Sequence, residues 1–181
     1  PRSTLFPYTT LFRSYVINGV GGSGKDTFVN FCRDYLGESK VINISTIDPI
    51  KGLARMCGWS GTKYERDRRF LSDLKDLLTE YNDYPFSWLQ QEIKYYQDRD
   101  WIDEDAFYFI HCREPEEIQR LKNKYNATTI LVRRPGISIE SNHADSNVEN
   151  FNYDIIVTNN GTLEDLRETS RIFCDKEKER S

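Results

Sequence analysis

The chain predicts an α/β fold, three layers deep, with a five-stranded parallel sheet covered by helices on both faces. Three observations carry this. Strand-like and helix-like segments alternate from Tyr15 to Phe173, and such alternation builds parallel sheets through right-handed crossovers. A glycine-rich loop, Gly19-Val20-Gly21-Gly22-Ser23-Gly24-Lys25, joins the first strand to the first helix. Ala106-Phe107-Tyr108-Phe109-Ile110 is a continuous apolar run of strand length, the pattern of a central strand buried on both sides.

The elements follow in order. Tyr15-Val16-Ile17 is a short first strand. After the glycine loop, Phe28, Phe31/Cys32 and Tyr35/Leu36 recur at helical spacing, and Gly37 is a natural stop. Val41 to Ser45 reads as the second strand. Asp48 suits a helix cap and Pro49 a first helical position, with Ile50, Leu53, Ala54 and Cys57 as the apolar face. Thr62 to Tyr81 is the next helical stretch, its stripe made of Phe70, Leu71, Leu74, Leu77, Leu78 and Tyr81. Arg66, Arg68 and Arg69 crowd its N-terminal half, where cations oppose the helix dipole. They either meet an anion or form a solvated face. Pro85 to Asp98 is a third helical stretch, and Tyr95, Tyr96 and Trp101 form either a stacking surface or rim packing.

The third strand, Ala106 to Ile110, ends in His111-Cys112-Arg113-Glu114-Pro115, and a helix follows with Ile118 and Leu121 inward. Thr128 to Val132 is the fourth strand, ending in Arg133-Arg134-Pro135-Gly136. The polar, aperiodic stretch from Gly136 to Asn152 reads as a flap. Tyr153 to Val157 is the fifth strand. Thr162-Leu163-Glu164-Asp165 resembles a capping box that opens the last helix, with Asp in place of Glu.

Thr4 to Ser14 reads TLFPYTTLFRS, which resembles the in-frame translation of a sequencing-adapter oligonucleotide. Residues 1–14 are therefore expected to be artefactual or disordered. The remaining 181 − 14 = 167 residues, 15–181, suit one domain, with a helical insertion over about 48–100 and the flap over about 134–152. A net charge of −4 gives no basic footprint and argues against duplex nucleic acid as the main partner. No stretch is apolar and long enough to span a membrane. Four scattered cysteines, Cys32, Cys57, Cys112 and Cys174, have no paired metal spacing. They read as free thiols of a cytoplasmic protein.

The loop has the form G-x-x-x-x-G-K. Glycines let consecutive backbone N–H groups close on phosphate oxygens, and the new helix turns its positive end to the same anion. Lys25 supplies a mobile positive charge for the β- and γ-phosphates of ATP. Asp26 stands where Ser or Thr is usual, followed by Thr27. Both offer hard oxygens for Mg²⁺. The parallel sheet places ligands at the C-terminal ends of its strands. Those ends carry Gly19–Lys25, Asp48, His111–Arg113, Arg133–Arg134 and Asn159–Gly161.

With these residues in order, the chain resembles the nucleoside monophosphate kinases of the three-layer P-loop NTPase fold, above all the deoxynucleoside monophosphate kinases of phages and bacteria. The likeness rests on Ser23-Gly24-Lys25-Asp26-Thr27, Ile47-Asp48-Pro49-Ile50-Lys51, Arg68-Arg69-Phe70-Leu71, His111 to Glu117, His143-Ala144-Asp145 and Asp154 to Leu163. The resemblance implies that Gly19, Gly21, Gly22, Ser23, Gly24, Lys25, Asp26 and Thr27 bind ATP phosphates and Mg²⁺. It implies that Asn160, Gly161 and Thr162 pass near the adenine. It sets Asp48, Lys51 and Arg69 near the acceptor, a nucleoside or deoxynucleoside monophosphate, and has Arg113 hold the acceptor's phosphate. Arg133 and Arg134 would reach the transferring phosphoryl group as the flap closes, and His143 would touch substrate. His111 departs from the family, which often has Asp there; neutral imidazole is a poor Mg²⁺ ligand. Two rivals stay open: a kinase of the same fold for another small metabolite, and a non-catalytic ATP-binding regulatory protein. Acceptor-dependent ADP formation separates them.

Overall fold

The computed structural model describes residues 13–137 and 147–180. Five strands, β1 (Arg13–Asn18), β2 (Val41–Ser45), β3 (Phe107–His111), β4 (Thr128–Arg133) and β5 (Ile155–Thr158), form one sheet in the order β2-β3-β1-β4-β5. Every pairing in it is parallel. Among the described residues six α-helices connect or flank the strands: α1 (Lys25–Leu36), α2 (Asp48–Met56), α3 (Glu65–Asn82), α4 (Tyr84–Gln97), α5 (Pro115–Tyr125) and α6 (Leu163–Glu179). The α/β class and the five-stranded parallel sheet expected from the sequence are present.

The two faces of the sheet separate by the period-two rule of strands. Tyr15, Ile17, Phe107, Phe109, Ile130 and Val132 point to one face and pack with Phe28 of α1 and Phe173 of α6. Val16, Ile42, Ile44, Tyr108 and Ile110 point to the other and pack with Leu89 and Ile93 of α4 and Ile118 and Leu121 of α5. β1 and β3 are buried along almost their whole length, which is why they read as unbroken apolar runs.

Several boundaries move. The proposed break after residue 14 is corrected: Arg13 and Ser14 continue β1 and pair with Phe107 and Tyr108 of β3, and Ser14 is buried. The ladder reaches two residues further because Phe107 and Tyr108 offer backbone partners there. Residues 1–12 lie outside the described residues. α3 starts at Glu65 rather than Thr62, because the Asp67 carboxylate accepts from the Tyr64 N–H at 3.2 Å and the Thr62 hydroxyl at 2.5 Å. β5 starts at Ile155, since Asp154 turns its carboxylate onto the Thr129 N–H and hydroxyl instead of joining the ladder. Asp48 does not cap α2 but is its first residue; its Oδ2 accepts from the Ser45 N–H at 2.9 Å. The free-thiol reading agrees with the structure, which has Cys32, Cys112 and Cys174 buried and Cys57 exposed, all unpaired. Among the described residues no helix is long and apolar enough to cross a membrane.

Candidate active site

The register of the sheet places the site. Ile17 pairs with His111, so the residues just after each, Asn18-Gly19 and Cys112-Arg113, leave the sheet side by side. β1 also pairs with β4, and Arg133 pairs with Thr158 of β5. The glycine loop, Arg113, Arg133 and Asn159 therefore emerge from adjacent strands at one edge.

The loop is held from beneath by two buried asparagines: Asn18, which the sequence reading did not single out, and Asn159, which it named only as part of a strand end. Asn18 is fully buried; its Oδ1 accepts from the Gly19 N–H at 2.8 Å. Its Nδ2 donates to the Arg113 carbonyl at 3.2 Å and to the Tyr153 hydroxyl at 2.7 Å. Tyr153 in turn donates to the Val148 carbonyl at 2.8 Å. Asn18 thus ties the loop to the Arg113 turn and to the C-terminal root of the flap. Asn159, also buried, donates from Nδ2 to the Ser23 carbonyl at 2.9 Å, and its N–H donates to the Arg133 carbonyl at 2.7 Å. The one hint in the sequence was a polar residue at a strand's C-terminal end; burial itself is not written there.

Two glycines are required by this packing. Gly24 has φ +95, in the left-handed region, and a Cβ there would lie 2.5 Å from Asn159 Nδ2. A Cβ on Gly19 would lie 2.5 Å from the Val132 carbonyl oxygen. The loop closes by a Ser23 N–H to Val20 carbonyl bond at 3.1 Å. Ser23 Oγ is buried without a hydrogen-bond partner among the described residues, and Gly21 and Gly22 are exposed at the tip. Lys25 and Asp26 open α1, so the helix's positive end faces the loop's concavity.

His111 is 8 % exposed, with Nδ1 3.6 Å from Asp26 Oδ1 and Nε2 buried without a hydrogen-bond partner among the described residues. Burial lowers its pKa to about 4 against the opposing pull of Asp26. The ring is neutral at pH 7, a softer donor than the oxygens that Mg²⁺ prefers. Asp26, with its side chain 75 % exposed, and Thr27 behind it supply hard oxygen in the first turn of α1. That donor set fits Mg²⁺, which takes one or two carboxylates with phosphate and water completing its shell.

The acceptor side is looser. Lys51 Nζ lies 3.2 Å from Asp48 Oδ1 within α2, and both are half-buried. Lys75 of α3 reaches Glu117 of α5 at 2.7 Å, and the same Glu117 oxygen accepts from Cys112 Sγ at 3.3 Å. That pair turns one face of α3 toward the end of β3. Arg68 is seven residues before Lys75, within about 20° on the helix, and so shares this face. Arg69 is set roughly 120° away from Lys75; its side chain is 83 % exposed and its Nε lies 3.7 Å from Asp73. Arg68 and Arg69, both exposed, thus lie on different faces of α3, Arg68 on the one that carries Lys75.

Arg133 Nε donates to Glu149 Oε1 at 3.0 Å, and its Nη2 donates to the other oxygen. Arg133, Arg134, Gly136, Ile137 and Glu149 line a cleft of about 200 Å³ beside Val20 of the loop. Asn160 and Gly161 are exposed after β5. Thr162 completes the expected capping box: its Oγ1 accepts from the Asp165 N–H at 3.2 Å, and Asp165 Oδ2 accepts from the Thr162 N–H at 2.7 Å. His143 and the middle of the flap lie outside the described residues.

The fold has counterparts among solved structures. An unliganded structure of a sugar kinase from Janibacter sp. HTCC2649 aligns over 91 % of this chain and 95 % of its own, with a TM-score of 0.50 and 18 % identity. The fold is that of the P-loop kinases. An APS kinase of Mycobacterium tuberculosis aligns over 91 % of this chain and 97 % of its own, with a TM-score of 0.41 and 13 % identity. No protein-family model and no curated protein matches the chain.

Proposed function

We propose that the protein is a Mg²⁺-dependent kinase that transfers the γ-phosphoryl group of ATP to a nucleoside or deoxynucleoside monophosphate. The observation that carries this reading is the Asn18 junction. One buried amide holds both the first N–H of the phosphate loop and the turn that presents Arg113. The loop and the Arg113 turn leave adjacent strands, which run about 5 Å apart, an arrangement that suits a donor phosphate beside an anionic acceptor.

Phosphoryl transfer needs positioning and positive charge more than covalent chemistry from the protein. The backbone N–H groups from Gly19 to Lys25 hold the β- and γ-phosphates, and Lys25 neutralises them. Mg²⁺, held through Asp26 and Thr27, would spread the charge of the same oxygens. Arg113 orients the acceptor phosphate, with Lys51 and Arg69 lending positive charge on the acceptor side. A phosphate monoester is mostly dianionic at pH 7 and attacks without a general base, so the neutral, buried His111 is no obstacle. Arg133 and Arg134 reach the transferring group when the flap closes over the cleft, which excludes water and suppresses ATP hydrolysis.

The test is ADP release with ATP, Mg²⁺ and a panel of ribo- and deoxyribonucleoside monophosphates, beside sugars and other phosphorylated metabolites. Stimulation by one or a few nucleotides is the expected result. Stimulation by a sugar alone, or ATP binding with no acceptor effect, would replace this reading with one of its two rivals.

A further inference from the structure

We propose that the protein forms a two-fold dimer through an antiparallel pairing of α3 with α3 of a second copy. The apolar stripe that the sequence places on this helix is only partly used within one chain. Asp67 is the one residue of α3 that is buried. Phe70, Leu77 and Tyr81 are 39 %, 62 % and 81 % exposed, and Leu74 between them is half-buried. Their spacing of four, three and four keeps them within about 60° of arc, one continuous seam. The seam is turned roughly 130° from Lys75, the residue that faces the strand ends. It does not line the phosphate site.

Charge selects the occupant. Beside the seam run Arg66 and Arg69 toward the N-terminus and Asp73, Asp76 and Glu80 toward the C-terminus, all exposed. A parallel partner would set Arg against Arg. An antiparallel second copy sets the basic half of each helix against the acidic half of the other. The seam is itself self-complementary. With the two-fold axis between Lys75 and Asp76, Phe70 meets Tyr81 of the second copy, Leu74 meets Leu77, and Arg69 comes alongside Glu80, each twice. A two-fold interface uses the same patch on both copies, as this one does, and flanking charges set orientation. The intrahelical Arg69–Asp73 contact is an exposed pair of small worth and does not compete.

Sedimentation equilibrium of the full chain tests this, with a dimer expected to form in the micromolar range. Leu77→Glu should give a folded monomer whose melting temperature no longer depends on protein concentration. Arg69→Glu or Glu80→Arg alone should weaken the dimer about tenfold or more at low salt, and the double exchange should restore it. Should Leu77→Glu fail to fold, the two charge exchanges, both at exposed positions, decide the matter alone. A monomer at all concentrations up to about 100 µM would overturn the proposal. So would a dimer indifferent to Leu77→Glu, or a double exchange that fails to restore pairing.

Discussion

The two halves of the candidate site are built differently. The phosphate half grows from β1, β4 and β5, and its loop is fixed by two buried asparagines, Asn18 and Asn159, that bond backbone on both sides. The acceptor half, α2 to α4, rests on apolar packing of Leu89 and Ile93 against the sheet and on the Lys75–Glu117 and Asp83–Arg120 ion pairs to α5. Buried amides that clamp backbone suit a fixed anion hole, whereas apolar packing and ion pairs suit an arm that adjusts to its acceptor. The difference teaches where preorganisation has been placed: under the phosphates rather than around the acceptor.

Removing the central charge of the rigid half should have the largest effect. Lys25→Ala is expected to lower turnover by on the order of 10²–10³-fold, measured as acceptor-stimulated ADP release; near-normal turnover would break the contrast between the halves. Next comes pH. His111 has a folded pKa of about 4, below its ordinary value of 6.5, because burial disfavours the cation. The unfolded chain therefore binds a proton that the folded one refuses. Stability should fall as pH drops from about 6.5 to about 4, by on the order of 3 kcal/mol. Urea unfolding of the parent and His111→Asn across that window should differ by this slope, and parallel curves would show that the imidazole is not held neutral.

Smaller effects sharpen the comparison. Asn159→Ala leaves the Ser23 carbonyl without its partner and should cost about 2 kcal/mol in unfolding, with a weakened ATP affinity by titration. Lys75→Met should cost roughly 1–2 kcal/mol, between surface and buried ion-pair values. It should raise the acceptor KM while the ATP KM stays within about twofold. Equal changes in both KM values would mean that the arm and the loop are one rigid unit after all.

The phosphate loop was legible because its chemistry is local: glycines, a lysine and a helix start within a few residues. The burial of β3 on both faces was equally legible, since Ala106 to Ile110 is an unbroken apolar run. Asn18 and Asn159 were not, because their value lies in partners at positions 113, 153 and 23, far apart in the chain. The faces of α3 were also open: which of them meets α5 needed the Lys75–Glu117 pair, set from another element.

The amino-acid sequence by itself determined the order of strands and helices, the anion-binding loop and its candidate metal oxygens, because each depends on neighbours a few residues away. Only the tertiary structure decided the strand order β2-β3-β1-β4-β5, the neutral burial of His111 against Asp26, and the exposed seam on α3. Those depend on which surfaces meet across the sheet, and a pairing between distant segments leaves no periodic mark in either one.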